Sequence, residues 1–433
     1  MSVAVSVNGR RYRRRGIREV DRPLYLDDIV TPLERYSEKM TPLSRGYVPP
    51  GGWDDRFLET LVPLMGQRGP VPRDEPGYTQ VDLALRVAGF HGAMATNCHT
   101  GNWTRPRLTE RLGCLYDWEG PWGPSFVGLP WTPDRLELDP DEASEIVKEA
   151  ALFLGANLVG IARLDRRWVY RPGWHRYEHE EIDLDAMLPP SMQWAVVMAV
   201  ATPYEYVSHA PTARASAAAG LGYSKMAHLA PSLAKFIACL GYKAIACGND
   251  TALSIPLAVD AGLGQLGRNG LLVTPEFGPR VRLCKVLTDL PLEPTRPVDF
   301  GVTEYCRVCV KCAEYCPAQA ILYGGPTHEA RTPSTNPGLR KWPIDGEACF
   351  RFWYRNGAKT ERGMYHIDCY QCVNVCPFNK PPGFFHEVGK WMVSRVRFLD
   401  PLLHRIDEAF YPPRYRTGAS RRGGRPGRSP ARA

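Results

Sequence analysis

The sequence of 433 residues has no run of about eighteen apolar residues, so we expect no membrane-spanning helix. Arg13, Arg14 and Arg15 resemble the beginning of a twin-arginine export signal. The charged segment 16–22 follows them, however, where such a signal needs an apolar region. We therefore expect no twin-arginine or Sec signal, and a cytoplasmic location.

Positive charge is unevenly distributed along the chain. The net charge is +8, but residues 10–18 hold six arginines and residues 414–433 hold seven, and neither segment contains an acid. The rest of the chain is net negative, which gives no basis for a core that binds nucleic acid. The composition of the arginine-rich C-terminal tail is typical of disordered segments.

Cysteine is concentrated between residues 306 and 376. The first run has the spacings x2, x2 and x3, the second has x2 and x3, and a proline follows each run. This is the bacterial ferredoxin spacing written twice with one cysteine missing, and in such runs the last thiolate binds the other cluster. Cys349 completes the set because it is the only other cysteine in this part of the chain. The predicted ligands are Cys306, Cys309, Cys312 and Cys376 for cluster one, and Cys316, Cys349, Cys369 and Cys372 for cluster two.

Zinc and disulfides explain these cysteines less well than iron–sulfur clusters. A zinc ribbon has two separated Cys-x2-Cys pairs without Cys-Pro endings, and a disulfide framework requires export. The pattern therefore predicts two [4Fe–4S] clusters. The remaining cysteines are scattered and odd in number, which fits reduced thiols. They are Cys98, Cys114, Cys239, Cys247 and Cys284.

Helical and strand patterns alternate from residue 139 to residue 300, which predicts an α/β domain. Asp139 and Pro140 mark a helix start, and a second helix is expected at 225–240 with a break at Pro231. Strands are expected at 158–162, 194–201, 242–246, 271–274 and 281–288, and a short helix at 254–261. Four units follow: an irregular wrapping unit at 1–138, the α/β domain at 139–300 with an insertion at 163–190, a ferredoxin-like module at 301–385, and a C-terminal extension at 386–433.

A glycine-rich loop follows the short helix. Gly262, Gly264 and Gly267 match the letters of the dinucleotide-binding fingerprint, but a helix-like segment precedes them and no helix follows. We therefore reject a Rossmann site and predict that these glycines, together with Arg268, let the backbone approach a bulky planar cofactor. The chain also lacks an Asp-x-His-x-x-Gly segment, so a corrinoid would bind without a histidine ligand to cobalt.

Several phrases between residues 222 and 292, followed by the cysteine pattern, resemble the corrinoid-dependent reductive dehalogenases. They include Gly222-Tyr-Ser-Lys, Gly248-Asn-Asp, Ala261-Gly-Leu-Gly-Gln-Leu-Gly-Arg-Asn-Gly and Thr274-Pro-Glu-Phe-Gly-Pro-Arg-Val-Arg-Leu. The resemblance implies an α+β protein with a nitroreductase-like α/β corrinoid-binding core and a ferredoxin-like module. It also implies base-off cobalamin, whose cob(I) form cleaves a carbon–halogen bond of an organohalide. An external electron donor (a ferredoxin, a flavodoxin or a reductase) would supply electrons through the clusters.

The same resemblance implies a proton donor at Tyr223, a basic partner at Arg282 and a pocket residue at Asn249. A free tyrosine has a pKa of about 10, so it stays protonated at neutral pH and can donate. A nearby arginine would favour the phenolate that remains. Strand alternation places Arg280 on the same face as Arg282, and Lys285 is a third basic candidate, so the partner of Tyr223 stays open.

Two other functions are compatible with these cofactors. Epoxyqueuosine reductases resemble the chain in domain order, but they place an aspartate general acid where this chain has Gly222. A corrinoid and iron–sulfur electron-transfer protein without an organic substrate is the other alternative. The absent leader distinguishes the chain from exported respiratory reductive dehalogenases and favours a catabolic role in the cytoplasm.

Overall fold

The computed structural model describes residues 3–7, 10–14, 17–30, 32–46, 53–95, 134–175, 179–360, 363–381 and 383–411. Its centre is a six-stranded sheet in the order β2-β1-β4-β7-β11-β8, in which every neighbouring pair is antiparallel. Cys98, Cys114 and the C-terminal tail beyond residue 411 lie outside the described residues.

The strands, in chain order, are β1 Ala4–Val7, β2 Arg10–Arg13, β3 Arg18–Glu19, β4 Leu158–Arg163, β5 Gly173–His175, β6 Glu180–Ile182, β7 Trp194–Ala201, β8 Ala244–Cys247, β9 Gln265–Leu266, β10 Leu272–Val273, β11 Val281–Thr288, β12 Val298–Asp299, β13 Ala358–Thr360 and β14 Gly363–Tyr365.

The α-helices are α1 Pro42–Gly46, α2 Asp55–Leu61, α3 Gln80–Ala95, α4 Pro140–Phe153, α5 Leu184–Met187, α6 Tyr204–Val207, α7 Ala213–Cys239, α8 Ser254–Asp260, α9 Val302–Val308, α10 Lys311–Glu314, α11 Gly346–Asn356, α12 Gln371–Asn374, α13 Phe384–Arg395 and α14 Asp400–Phe410. Short 3₁₀ helices cover Leu24–Asp28, Glu38–Met40, Val62–Leu64, Arg166–Trp168 and Arg397–Leu399.

Both faces of the sheet are buried, which explains why its central strands are continuous apolar runs. Along β7, Val196 and Met198 pack with helices α4 and α7 on one face, because successive side chains of a strand alternate. Val197 and Ala199 pack with α8 on the other face. The predicted strands 194–201 and 281–288 are confirmed with the same bounds.

The sheet crosses the boundary that we predicted at residue 138. Strands β1 and β2 come from the N-terminal segment, and β1 pairs with β4 through Ala4 opposite Val159 and Val5 opposite Leu158. The first residues therefore belong to the central sheet, not to a wrapping unit alone. Among the described residues, the arginine-rich run 10–13 forms an outer strand of the sheet.

Helix α7 corrects our prediction of a break at Pro231. It runs without interruption from Ala213 to Cys239, with Pro231 inside it. A proline in a helix removes one hydrogen bond, but here Ala227, Ala230 and Leu233 are fully buried against the sheet. We infer that this packing offsets the lost bond. The helix starts twelve residues earlier than predicted, so Tyr223 lies within it.

The cysteine-bearing segments form short helices beside the sheet domain. Helices α9, α10, α11 and α12 carry or border the eight cysteines, and α13 and α14 pack near α9. Arg45 of α1 forms buried ion pairs with Asp54 and with Glu347 of α11. None of the helices in the described ranges is long and apolar enough to cross a membrane.

Candidate active site

Tyr223, Arg282 and Asn249 come together where helix α7 crosses the sheet. The guanidinium carbon of Arg282, on β11, lies 4.6 Å from the centre of the Tyr223 ring. The side-chain amide of Asn249 donates a hydrogen bond of 3.1 Å to the Tyr223 hydroxyl. Phe90 of α3 stacks on the Tyr223 ring with a centroid distance of 6.2 Å. The three residues from the family resemblance thus form one contiguous cluster.

Gly222 makes room for Arg282. A Cβ atom on Gly222 would lie 2.7 Å from the Cγ of Arg282 and 3.3 Å from the Cγ2 of Thr202. Both distances are shorter than ordinary van der Waals contact. An aspartate at this position would therefore displace Arg282 from Tyr223.

Arg280 and Lys285, the other basic candidates, have different partners. The Arg280 guanidinium donates to the carbonyl oxygen of Thr202 at 2.7 Å and faces the Phe277 ring. Lys285 is fully buried, and strand alternation directs it to the face of β11 opposite Arg282. Its ammonium donates to the loop that carries Asn249. The geometry therefore favours Arg282 as the partner of Tyr223.

Arg282 also connects Tyr223 and Asn249 to the predicted iron–sulfur cluster two. Its guanidinium carbon lies 4.9 Å from the ring centre of Tyr370, which lies between Cys369 and Cys372. Burial lowers the pKa of Arg282, but the phenol groups of Tyr223 and Tyr370 outweigh this and raise it. Arg282 therefore stays positively charged between the two rings. Its Nε is buried and has no hydrogen-bond partner among the described residues, so it can bind an additional acceptor.

The eight predicted cysteine ligands lie in two groups that adjoin at Cys312 and Cys372. One cavity is lined by the four thiols of cluster one, beside Arg268 and Phe378. In the second group, Cys316, Cys349 and Cys372 pack together, and all three influence the pKa of Cys369. No three His, Cys, Asp or Glu side chains in the described ranges converge on one metal ion. Thiols arranged around a cavity in this way fit a cluster better than a single ion.

The electrostatics of these thiols also fit cluster binding. Burial raises the pKa of Cys309, Cys312 and Cys369, and the neighbouring thiolates raise it further. Without a metal these groups would be protonated, whereas iron holds thiols in the thiolate form. The backbone N–H of Arg268 approaches the Sγ of Cys306 at 3.5 Å, a contact of the kind that tunes cluster potentials.

Gly262 and Gly264 of the glycine-rich loop have a different role from the one we predicted. A Cβ on Gly262 would lie 2.3 Å from the carbonyl oxygen of Arg296, and one on Gly264 would lie 2.1 Å from that of Val273. The backbone of the chain itself fills this space, so these two glycines do not leave it open for a cofactor. Gly267 borders the cluster-one cavity. Arg268 crosses it and donates to the carbonyl oxygen of Cys306 at 2.7 Å and to that of Leu322 at 2.7 Å.

Sequence reasoning missed three contributors to the site. Phe90 lies in the segment 1–138, which we predicted as an irregular wrapping unit without a link to the site. The contact of Gly222 with Arg282 depends on how α7 crosses β11, which no local pattern encodes. Tyr370 was detectable, because its place inside a Cys-x2-Cys motif puts it beside cluster two.

Comparisons with known proteins agree with this architecture. Residues 305–380 match the family described as a 4Fe-4S dicluster domain. The chain is 35% identical to a tetrachloroethene reductive dehalogenase of Sulfurospirillum multivorans, over 87% of this chain and 79% of that protein. It is 39% identical to one of Desulfitobacterium hafniense, over 62% of this chain and 54% of that protein. An epoxyqueuosine reductase of Lactococcus garvieae is 32% identical over 36% of this chain and 40% of that protein.

The fold is also found among solved structures. A catabolic reductive dehalogenase in complex with 3-bromo-4-hydroxybenzoic acid superimposes with a TM-score of 0.63 and 21% identity, over 91% of this chain and 48% of that one. Mixed α and β structure with a dicluster domain defines the class of iron–sulfur proteins. Given its similarity to the Sulfurospirillum protein over most of both chains, the chain belongs to the reductive dehalogenase family.

Proposed function

We propose that the protein catalyses reductive dehalogenation of an organohalide at the cluster formed by Tyr223, Arg282 and Asn249. The net reaction replaces a halogen by hydrogen and consumes two electrons and one proton, with release of a halide ion. The observation that carries the proposal is the position of Tyr223. A hydroxyl that can donate a proton lies beside a fixed positive charge, and that charge is next to the motif for cluster two.

Tyr223 donates the proton in this proposal. Asn249 donates to the Tyr223 oxygen, so this bond orients the hydroxyl without using its own proton. As the proton leaves, negative charge develops on the phenol, and the Arg282 guanidinium stabilises it. The departing halide also carries negative charge, and the unpartnered Nε of Arg282 is a suitable donor for it.

Electrons reach the site through the two clusters. Cluster two is the inner one, because Tyr370 of its Cys-x2-Cys motif contacts Arg282. Cluster one then receives electrons from an external donor, for which a ferredoxin, a flavodoxin or a reductase remains our prediction. We keep the predicted cluster ligands as part of this proposal; the cavity lined by the cluster-one thiols and the packing of Cys316, Cys349 and Cys372 beside it support them.

A corrinoid completes the site, as in the family, and supplies a strongly reducing cobalt centre when bound. From the family resemblance we propose that it would bind base-off; the chain has no Asp-x-His-x-x-Gly segment that would supply a histidine ligand. The buried, unpartnered Nε of Arg282 fits a site that closes around a bound group. Gly267 and Arg268 remain our predicted contacts for it, and the nitroreductase-like description of the sheet domain is part of the same proposal.

Cofactor content and product analysis of anaerobically reconstituted protein test this function. We expect about one cobalt and about eight irons per chain, with a base-off cob(II)alamin paramagnetic resonance signal. Reduced methyl viologen and tetrachloroethene, the substrate in the names of the relatives, should then yield trichloroethene and chloride. 3-Bromo-4-hydroxybenzoic acid is the aromatic probe. Fully loaded protein that releases halide from neither probe, nor from a wider organohalide panel, would contradict the proposal.

An electron-transfer protein without an organic substrate is the second function to be tested. The iron–sulfur module alone would fit it, but the proton donor beside Arg282 would then have no use. Protein that binds eight irons and retains no cobalt would favour this alternative.

A further inference from the structure

Lys285 is a fully buried cation that the proposed chemistry does not use. It lies on β11 opposite Cys247, the last residue of β8, and the loop that carries Asn249 begins directly after Cys247. Burial of an ammonium group is costly unless it finds hydrogen-bond acceptors or an opposite charge. The hydrogen-bond partners of Lys285 therefore indicate its role.

The hydrogen bonds of Lys285 lie on both sides of Asn249 in the chain. The Lys285 ammonium donates to the carbonyl oxygen of Gly248 at 2.6 Å and to that of Asp250 at 3.0 Å, which are the residues on either side of Asn249. Its third contact is the hydroxyl of Ser254 at 3.0 Å, at the first residue of α8. One side chain thus holds a backbone carbonyl group on either side of the residue in contact with Tyr223.

The loop needs such support because its conformation is unfavourable. Thr251 has φ of +67°, in the left-handed region that β-branched residues rarely adopt, and such a residue costs about 1–3 kcal/mol. The Asp250 carboxylate accepts from the backbone N–H of Gly248 at 2.7 Å, which closes the loop on itself. The three donated bonds of Lys285 fasten this closed loop to the central sheet.

We propose that Lys285 is a positioning residue that fixes Asn249 in hydrogen-bond contact with the Tyr223 hydroxyl from the opposite face of the sheet. This inference rests on the proposed function, because it assigns Lys285 to the orientation of the proton donor. Lys285 lies on the other side of β11 from Tyr223 and acts only through the loop. A displacement of about 1 Å in such a contact can reduce turnover by about a hundredfold.

The test replaces Lys285 by methionine, an apolar side chain of similar length that lacks the amino group. Tetrachloroethene and reduced methyl viologen serve as the probes, with cofactor-loaded protein. We expect Lys285→Met to lower kcat about 10- to 100-fold, with KM changed less than about threefold because uniform substrate binding is untouched. Hydrogen–deuterium exchange should become about tenfold faster in a peptide spanning residues 244–254, because the loop has lost its anchor. Lys148→Met, at another buried lysine on α4, is the matched control and should keep the wild-type kcat.

A double-mutant cycle distinguishes positioning from general stability. If Lys285 acts through Asn249, the variant Lys285→Met/Asn249→Ala loses no more activity than Asn249→Ala alone. Additive losses, or an unchanged kcat in Lys285→Met, would overturn the inference. If Lys285→Met does not fold, Ser254→Ala removes one partner of the ammonium and should cost about tenfold in kcat. The double variant Ser254→Ala/Asn249→Ala should then lose no more activity than Asn249→Ala alone, and additive losses would overturn the inference. Inactive wild-type protein with full cofactor content would refute the proposed function instead.

Discussion

We expect the positive charge of Arg282 to increase the turnover rate by about two orders of magnitude. Its guanidinium carbon is 4.6 Å from the centre of the Tyr223 ring, over which a phenolate spreads its charge. At this separation, and with an effective dielectric constant of about 20, the attraction is on the order of 3–4 kcal/mol. Because about 1.4 kcal/mol corresponds to a factor of ten, Arg282→Met should reduce kcat by more than about a hundredfold.

The assay is halide release by cofactor-loaded protein with reduced methyl viologen as the donor. Arg282→Lys keeps the charge but loses the planar group that stacks between two rings, so we expect an intermediate loss of about tenfold. Arg280→Met is the matched control, since Arg280 directly precedes β11 and its guanidinium binds the carbonyl oxygen of Thr202, so kcat should change by less than about threefold. If Arg282→Met keeps near-wild-type turnover with unchanged iron and cobalt, the proposed role of Arg282 is wrong.

Three further substitutions test other parts of the account. Gly222→Ala places a Cβ 2.7 Å from the Arg282 side chain, so turnover should fall about tenfold or more. The control Gly389→Ala, at a position where the structure leaves open space, should leave turnover unchanged. Equal effects of the two substitutions would contradict the account. Cys349→Ala should lower the iron content from about eight to about four atoms per chain, because cluster two is lost. The control Cys239→Ala should keep the full iron content. Full iron content in Cys349→Ala would refute the ligand assignment. Arg45→Met removes the cation beside half-buried Asp54 and leaves Glu347 paired with Arg351 at 3.4 Å, so the free energy of unfolding should fall by about 1–3 kcal/mol in denaturant titrations. A loss below about 0.5 kcal/mol would show that the ion pairs of Arg45 contribute little.

The central elements of the fold were predictable because their signals are local. Strands β7 and β11 are eight-residue runs rich in apolar and β-branched residues, and the structure gives them the predicted bounds. Asp139 caps α4 as expected, with its carboxylate accepting from the backbone N–H of Asp141. Strands β1 and β2 were missed, because four-residue segments carry little pattern and an arginine run resembles a solvated tail. The pairing of β1 with β4 is a contact across about 150 residues of chain.

The site was predictable in its residue types but not in its pairings. The phrases around Tyr223, Asn249 and Arg282 pointed to these positions, and the structure brings them into contact. Sequence alone could not choose among the basic residues of β11, since the choice depends on which face of the strand meets α7. The glycine-rich loop was misread for a related reason. A glycine that admits the chain's own backbone looks the same in sequence as one that admits a cofactor.

The most direct test of the central claim is the stoichiometry of halide release in wild-type protein and in Tyr223→Phe. With both clusters and cobalt present, wild-type protein should release one chloride from tetrachloroethene for every two electrons taken from methyl viologen. Tyr223→Phe should keep its metals and lose at least about a hundredfold in this rate, since the proton donor is gone. Halide release at the wild-type rate by Tyr223→Phe would contradict the assigned proton donor, and oxidation of methyl viologen without halide release would contradict the function itself.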